Sequence, residues 1–154
     1  MRLRTVPLPL ALLLAAVAVA GCGFVSRTPP APTPADFQGI ASAFVARGVS
    51  VSQIVAGDAG CNDPALARTA ISFRASGLDQ ATAIPVHLYI FGSPASYEKL
   101  RSSVDACARS FVTDPETIES IDASPFVVVG QGPWAPRFTA AIRQALTQAA
   151  GNGG

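Results

Sequence analysis

Ile84-Pro85-Val86-His87-Leu88-Tyr89-Ile90-Phe91-Gly92-Ser93-Pro94 is the stretch that decides the fold. Val86, Leu88 and Ile90 alternate with His87, Tyr89 and Phe91, which is the period of a β-strand. Both sets are largely apolar, so the strand belongs in the middle of a sheet. Ser93 then offers a side-chain cap, and Pro94 a first helical residue. Tyr97, Leu100, Val104, Cys107, Ala108 and Phe111 recur at helical spacing, predicting one long helix. Upstream, Ile71, Phe73 and Ala75 alternate over 69–76, and Ser76-Gly77-Leu78-Asp79 turns the chain.

Working outward, Asp36 is a candidate N-cap for a helix with Phe37, Ile40, Ala41, Phe44 and Val45 on one face, stopped by Gly48. Residues 49–55 read as a strand, and Asn62 or Asp63 caps a short helix opened by Pro64. Ile118–Ile121 reads as a short strand, and Phe126-Val127-Val128-Val129 as a strand buried on both faces. Pro125 between them predicts a bend or an edge. A last helix buries Phe138, Ala141, Ile142, Ala145, Leu146 and Ala149. The expectation is a single small α+β domain, a sheet of about four strands with helices. Its order, α-β-α-β-β-α-β-α, contains a β-α-β-β-α-β middle that resembles a ferredoxin-like split β-α-β core with extra N- and C-terminal helices. The flanking helices would then cover the second sheet face.

The start of the chain carries Arg2 and Arg4, then an unbroken apolar run Leu10–Ala20. A bilayer-spanning helix needs about 20 residues, so this run fits a signal peptide and not a membrane span. It ends in Val19-Ala20-Gly21-Cys22, which resembles the lipobox of bacterial lipoproteins. The resemblance covers residues 19–22 and implies export, cleavage before Cys22 and lipid on that cysteine. Two or more acyl chains anchor stably where one does not. Gly23 follows the cysteine in place of an acidic residue, which permits transport to an outer membrane where there is one. The expected organisation is signal peptide 1–21, lipidated Cys22 with a proline-rich linker 22–36, domain 37–150 and flexible tail 151–154. Thr28-Pro29-Pro30-Ala31-Pro32-Thr33-Pro34 favours an extended spacer.

Export places Cys61 and Cys107 in an oxidising compartment, where a disulfide is the default and one pairing exists. The ferredoxin-like arrangement supports it, because the start of the first inner helix lies near the end of the second. The bridge would close about 47 residues and contribute about 4 kcal/mol in the chain-entropy model. Neither cysteine lies in a Cys-x-x-Cys motif, and the lone His87 does not complete a zinc site with them. Removing residues 1–21 takes away Arg2 and Arg4 and leaves a net charge of −1. That gives no general attraction to nucleic acid.

Motifs with chemistry are sparse. Gly130-x-Gly132-x-x-Ala135 has dinucleotide-loop spacing, but Pro133 and Pro136 lack the amides such a loop aims at phosphate. His87 reads as a packing residue of its strand, and Ser96 and Lys99, at Ser-x-x-Lys spacing, lack the companion motifs of enzymes using that pair. Asp114, Glu116, Glu119 and Asp122 form an acidic cluster without a calcium-loop pattern. Trp134, Arg137 and Phe138 flank a loop and, if exposed, would make a partner-binding anchor. The sequence therefore predicts a lipid-anchored protein on the extracytoplasmic face of the cell membrane or outer membrane. Its expected role is a non-enzymatic binding or accessory domain with an envelope protein partner, no catalytic residues, no metal and no cofactor. The rivals are a small envelope hydrolase using His87 or the Ser96/Lys99 pair, and a small solute-binding protein.

Overall fold

A computed structural model describes residues 34–151. The leader, Cys22, the linker up to residue 33 and residues 152–154 lie outside the described residues. The elements are α1 (Pro34–Val45), β1 (Ser50–Ala56), α2 (Pro64–Ala67), β2 (Ala70–Gly77), β3 (Gln80–Ile90), α3 (Pro94–Phe111), β4 (Ile118–Ala123), β5 (Phe126–Gln131) and α4 (Pro136–Gly151). The first helix opens at Pro34 and the last closes at Gly151. No helix among the described residues is long and apolar enough to cross a membrane.

The α+β class is as expected, but the sheet has five strands in the order β1-β2-β3-β5-β4, all adjacent pairs antiparallel. β4, read from the sequence as a short strand over Ile118–Ile121 but left out of the four-strand order, forms a hairpin with β5 around Ser124-Pro125. The ferredoxin-like order is not what the chain adopts, since β1 lies directly beside β2 at one edge. Element length supplies the reason. A crossover to a parallel strand needs a helix able to carry the chain back along the sheet. α2 has 4 residues and rises about 6 Å, against about 23 Å for a strand of β1's length. The chain therefore turns back on itself as an antiparallel pair. α3 has 18 residues and rises about 27 Å, which is enough. It links β3 to β4, which run parallel with β5 between them, so one split β-α-β unit is present.

Helices cover both faces. Phe37, Ile40 and Phe44 of α1 and Phe138, Ile142 and Leu146 of α4 pack on Ile71, Phe73, Val86, Leu88 and Val128. On the other side Leu66 of α2 and Val104, Cys107 and Ala108 of α3 pack on Tyr89, Val127 and Val129. This is why Val127-Val128-Val129 does not alternate in polarity: each valine enters one of two cores. α3 is fastened to β4 by the half-buried Arg101. Its Nε and Nη2 donate to Asp122 Oδ1 and Oδ2 (2.5 and 3.0 Å), and its Nη1 donates to Asp105 (2.5 Å). α4 is capped from a distance: the Asp79 carboxylate in the β2–β3 turn accepts the amides of Arg137 (3.0 Å) and Phe138 (2.9 Å).

A three-layer arrangement makes a simple prediction. Val128→Ala and Val129→Ala should each destabilise by about 2 kcal/mol in equilibrium denaturation, because each removes apolar bulk from a separate core. A near-neutral result for either would mean that its face of β5 is uncovered.

Candidate functional site

His87 is the buried polar side chain of the described residues, 7% exposed. The strand pairings put it beside Ser72 of β2 and Val129 of β5, on the α2/α3 side of the sheet. Phe111, the last residue of α3, lies over the imidazole with ring centroids 4.2 Å apart. The segment between β1 and α2 closes the remaining side. Gly60, at φ +76°, sits so near that a Cβ there would come within 2.9 Å of His87 Nε2 and 2.5 Å of the Phe111 ring. Only glycine fits both the conformation and the space.

The polar contacts form a chain. Ser72 Oγ donates to Asp58 Oδ2 at 2.6 Å, and the Gly60 amide donates to Asp58 Oδ1 at 2.9 Å. Asp58 Oδ2 is 3.9 Å from His87 Nε2, and His87 Nδ1 is buried with no hydrogen-bond partner. Burial lowers the His87 pKa below 6.5, against the opposing pull of the Asp58 carboxylate. The Ser72 hydrogen bond is the largest influence on Asp58, whose pKa lies below 3.8 despite partial desolvation; the Gly60 amide and His87 act in the same direction. Two positions along β3, the Tyr89 hydroxyl donates to the Ala59 carbonyl at 2.8 Å.

An activated serine needs its hydroxyl bonded to an imidazole that a carboxylate orients. Here the carboxylate stands between the two: Ser72 donates to Asp58, and Gly60 and Phe111 cover Nε2. The trio clasps the 57–63 segment to the sheet. The Ser96/Lys99 pair is not assembled either. The Ser96 amide donates to Ser93 Oγ (3.2 Å), the two hydroxyls are 3.0 Å apart, and Lys99 is exposed. No hydrogen bond joins Ser96 to Lys99 among the described residues.

The aromatic anchor is corrected by burial. Trp134 is 6% exposed and Phe138 fully buried. The indole stacks edge-on against Phe138 (5.9 Å) and donates Nε1–H to the Gln131 carbonyl at 2.9 Å. Gly130 makes room for it, since a Cβ there would lie 2.9 Å from the indole ring. Arg137 alone of the three is exposed. The exposed large apolar residues are instead Val45, Ile54, Val55 and Leu78, two of them on the edge strand β1. The acidic cluster is divided among separate tasks: Asp114 caps a 3-10 turn at Pro115–Thr117, and Asp122 holds Arg101 and Tyr97. Among the described residues no group of three or more His, Cys, Asp or Glu side chains is arranged to hold a metal ion.

Cys61 and Cys107 lie at disulfide distance, with Cα atoms 5.5 Å apart. They line a depression of about 270 Å³ together with Asn62, Asp63, Ser103, Ala106 and Ser110. No protein-family model, curated protein or solved structure matches this chain.

A neutral, buried imidazole has a pH signature. Below 6.5 the unfolded chain binds a proton at His87 that the native chain does not, so stability falls as pH drops until native His87 is itself protonated. Melting temperature should therefore fall between about pH 7.5 and about pH 5.5 in the wild type and stay level in His87→Gln. His87 is the sole histidine, so a level wild-type curve would refute the buried neutral ring.

Proposed function

We propose that this chain is an extracytoplasmic lipoprotein, held to a membrane by lipid on Cys22, whose α+β domain is a non-enzymatic binding or accessory module of the cell envelope. The observation that carries the anchor is Val19-Ala20-Gly21-Cys22 behind the charged start and the apolar run Leu10–Ala20. The cysteine pair at disulfide distance supports an oxidising compartment. Two features favour binding over hydrolysis: the occluded His87, and the Ser72 hydroxyl directed at a carboxylate. The depression of about 270 Å³ beside the cysteines is smaller than the usual ligand site, which spans roughly 300–1,000 Å³.

The binding surface in this proposal is β1 in place of Trp134. β1 is an edge strand with Ser50 and Ser52 to Ala56 exposed, and Ile54 and Val55 present apolar side chains there. An exposed edge can accept a strand from a partner.

Two measurements check these statements. Labelled palmitate should enter the wild type and not Cys22→Ala; continued labelling of the variant would overturn the anchor. Crosslinking in intact cells should give an envelope partner that Val55→Asp loses about tenfold while its circular dichroism is unchanged. Equal capture by Val55→Asp would remove β1 from the interface.

A further inference from the structure

We propose that Cys61–Cys107 is a thiol-exchange site for a dithiol reductant, and that opening it releases the 57–63 segment from the imidazole it covers. This goes beyond the anchoring role and does not depend on the lipid.

Three sets of contacts lead there. First, both cysteines line a surface depression, and the α3 side of it is built from the small residues Ser103, Ala106 and Ser110. Cys61 is half-buried and Cys107 is 4% exposed. A disulfide sealed inside a core would meet a reductant only after unfolding; here Cys61 offers an approach from the depression. Second, the segment has its own pivots. Gly57 and Gly60 hold φ of +79° and +76°, which glycine alone adopts at low cost. Apart from the sulfurs, the segment is held by Tyr89 on Ala59, by Asp58 on Ser72, by the Gly57 amide on the Ala70 carbonyl at the β1 end and by the Asp63 carboxylate capping α2 at the other. Third, a chemically capable group lies beneath. His87 is buried with Nδ1 unpartnered and Nε2 under Gly60. An unsatisfied buried nitrogen costs stability that an apolar side chain at that position would not.

A thiolate of the reductant attacks Sγ of Cys61, the more exposed cysteine. A mixed disulfide to Cys61 forms and the Cys61–Cys107 bond breaks. Cys107 leaves as a thiolate and takes up a proton from solvent. The second thiol of the reductant then attacks the mixed disulfide and frees Cys61 as a thiol. Two electrons and two protons pass to the protein, and the reductant ends as its own disulfide.

The test uses the full exported chain and dithiothreitol as the probe. Thiol release in native buffer should proceed within about tenfold of the rate in denaturant. Diethyl pyrocarbonate should modify His87 about tenfold faster after reduction, with far-ultraviolet circular dichroism unchanged. The Cys61→Ser/Cys107→Ser double variant should show the fast His87 reaction without reductant. Reduction that waits on unfolding, loss of dichroism on reduction, an unchanged His87 rate, or free thiols at both cysteines in the exported protein would each overturn the proposal.

Discussion

Leu88 and Tyr89 are neighbours on β3, both fully buried, and they point into different cores. The rest of the structure depends on that strand being enclosed on four sides: β2 and β5 take its backbone groups, and two helical layers take its side chains. A buried backbone must have its donors and acceptors paired, so each neighbour is fixed in register by β3. Pro85, which has no amide hydrogen to give, is tolerated because the β5 ladder begins one residue later, at Val86 opposite Gly130. Beyond that point β3 pairs with β2 alone and the hairpin runs out to Asp79, whose carboxylate returns to cap α4. One strand therefore sets the position of a helix more than fifty residues downstream.

What was legible in the sequence was whatever chain periodicity writes locally. The alternation of Val86–Phe91, the helical spacing from Tyr97 to Phe111 and the unbroken valines of 127–129 specified β3, α3 and a sheet covered on both faces. Strand order was not legible from the order of elements, because it turned on the length of a connection: a single-turn α2 returns the chain as an antiparallel neighbour. Whether Trp134 is exposed was not legible for a related reason. Between Pro133 and Pro136 it looks like a surface loop residue, yet the missing side chain of Gly130 and the remote cap at Asp79 fold that loop over the core. The His87 environment left no motif at all. Asp58, Gly60, Ser72 and Phe111 come from a loop, an edge-side strand and a helix terminus, and only the pairing of Ser72 with His87 brings them together.

That environment is costly for a structural role. A phenylalanine or leucine under Phe111 and Gly60 would keep the apolar packing and leave no unpaired nitrogen, whereas His87 Nδ1 is unsatisfied, at about 1–3 kcal/mol by the usual measure. The clasp from Ser72 through Asp58 offsets part of this, and offsets it only while the 57–63 segment is closed. Stability alone does not call for histidine here. The same segment carries one half of the cysteine pair, so its closure and the oxidation of the sulfurs are coupled by geometry.

The two sheet edges differ in a way that bears on binding. β4 carries Glu119 and Asp122, and charges on an edge oppose strand-to-strand association. β1 carries no charge, and its guard is of another kind: the register slips between Ser52 and Val55, and Gln53 takes a left-handed φ of +51°. Such a bulge interrupts the outer row of backbone donors and acceptors. It prevents a long uniform ladder of the sort that lets copies of one chain stack without end. It leaves Ile54 and Val55 displayed at the interruption, where a partner must match side chains as well as backbone. An edge built this way refuses indiscriminate pairing while keeping a short, shape-dependent one open.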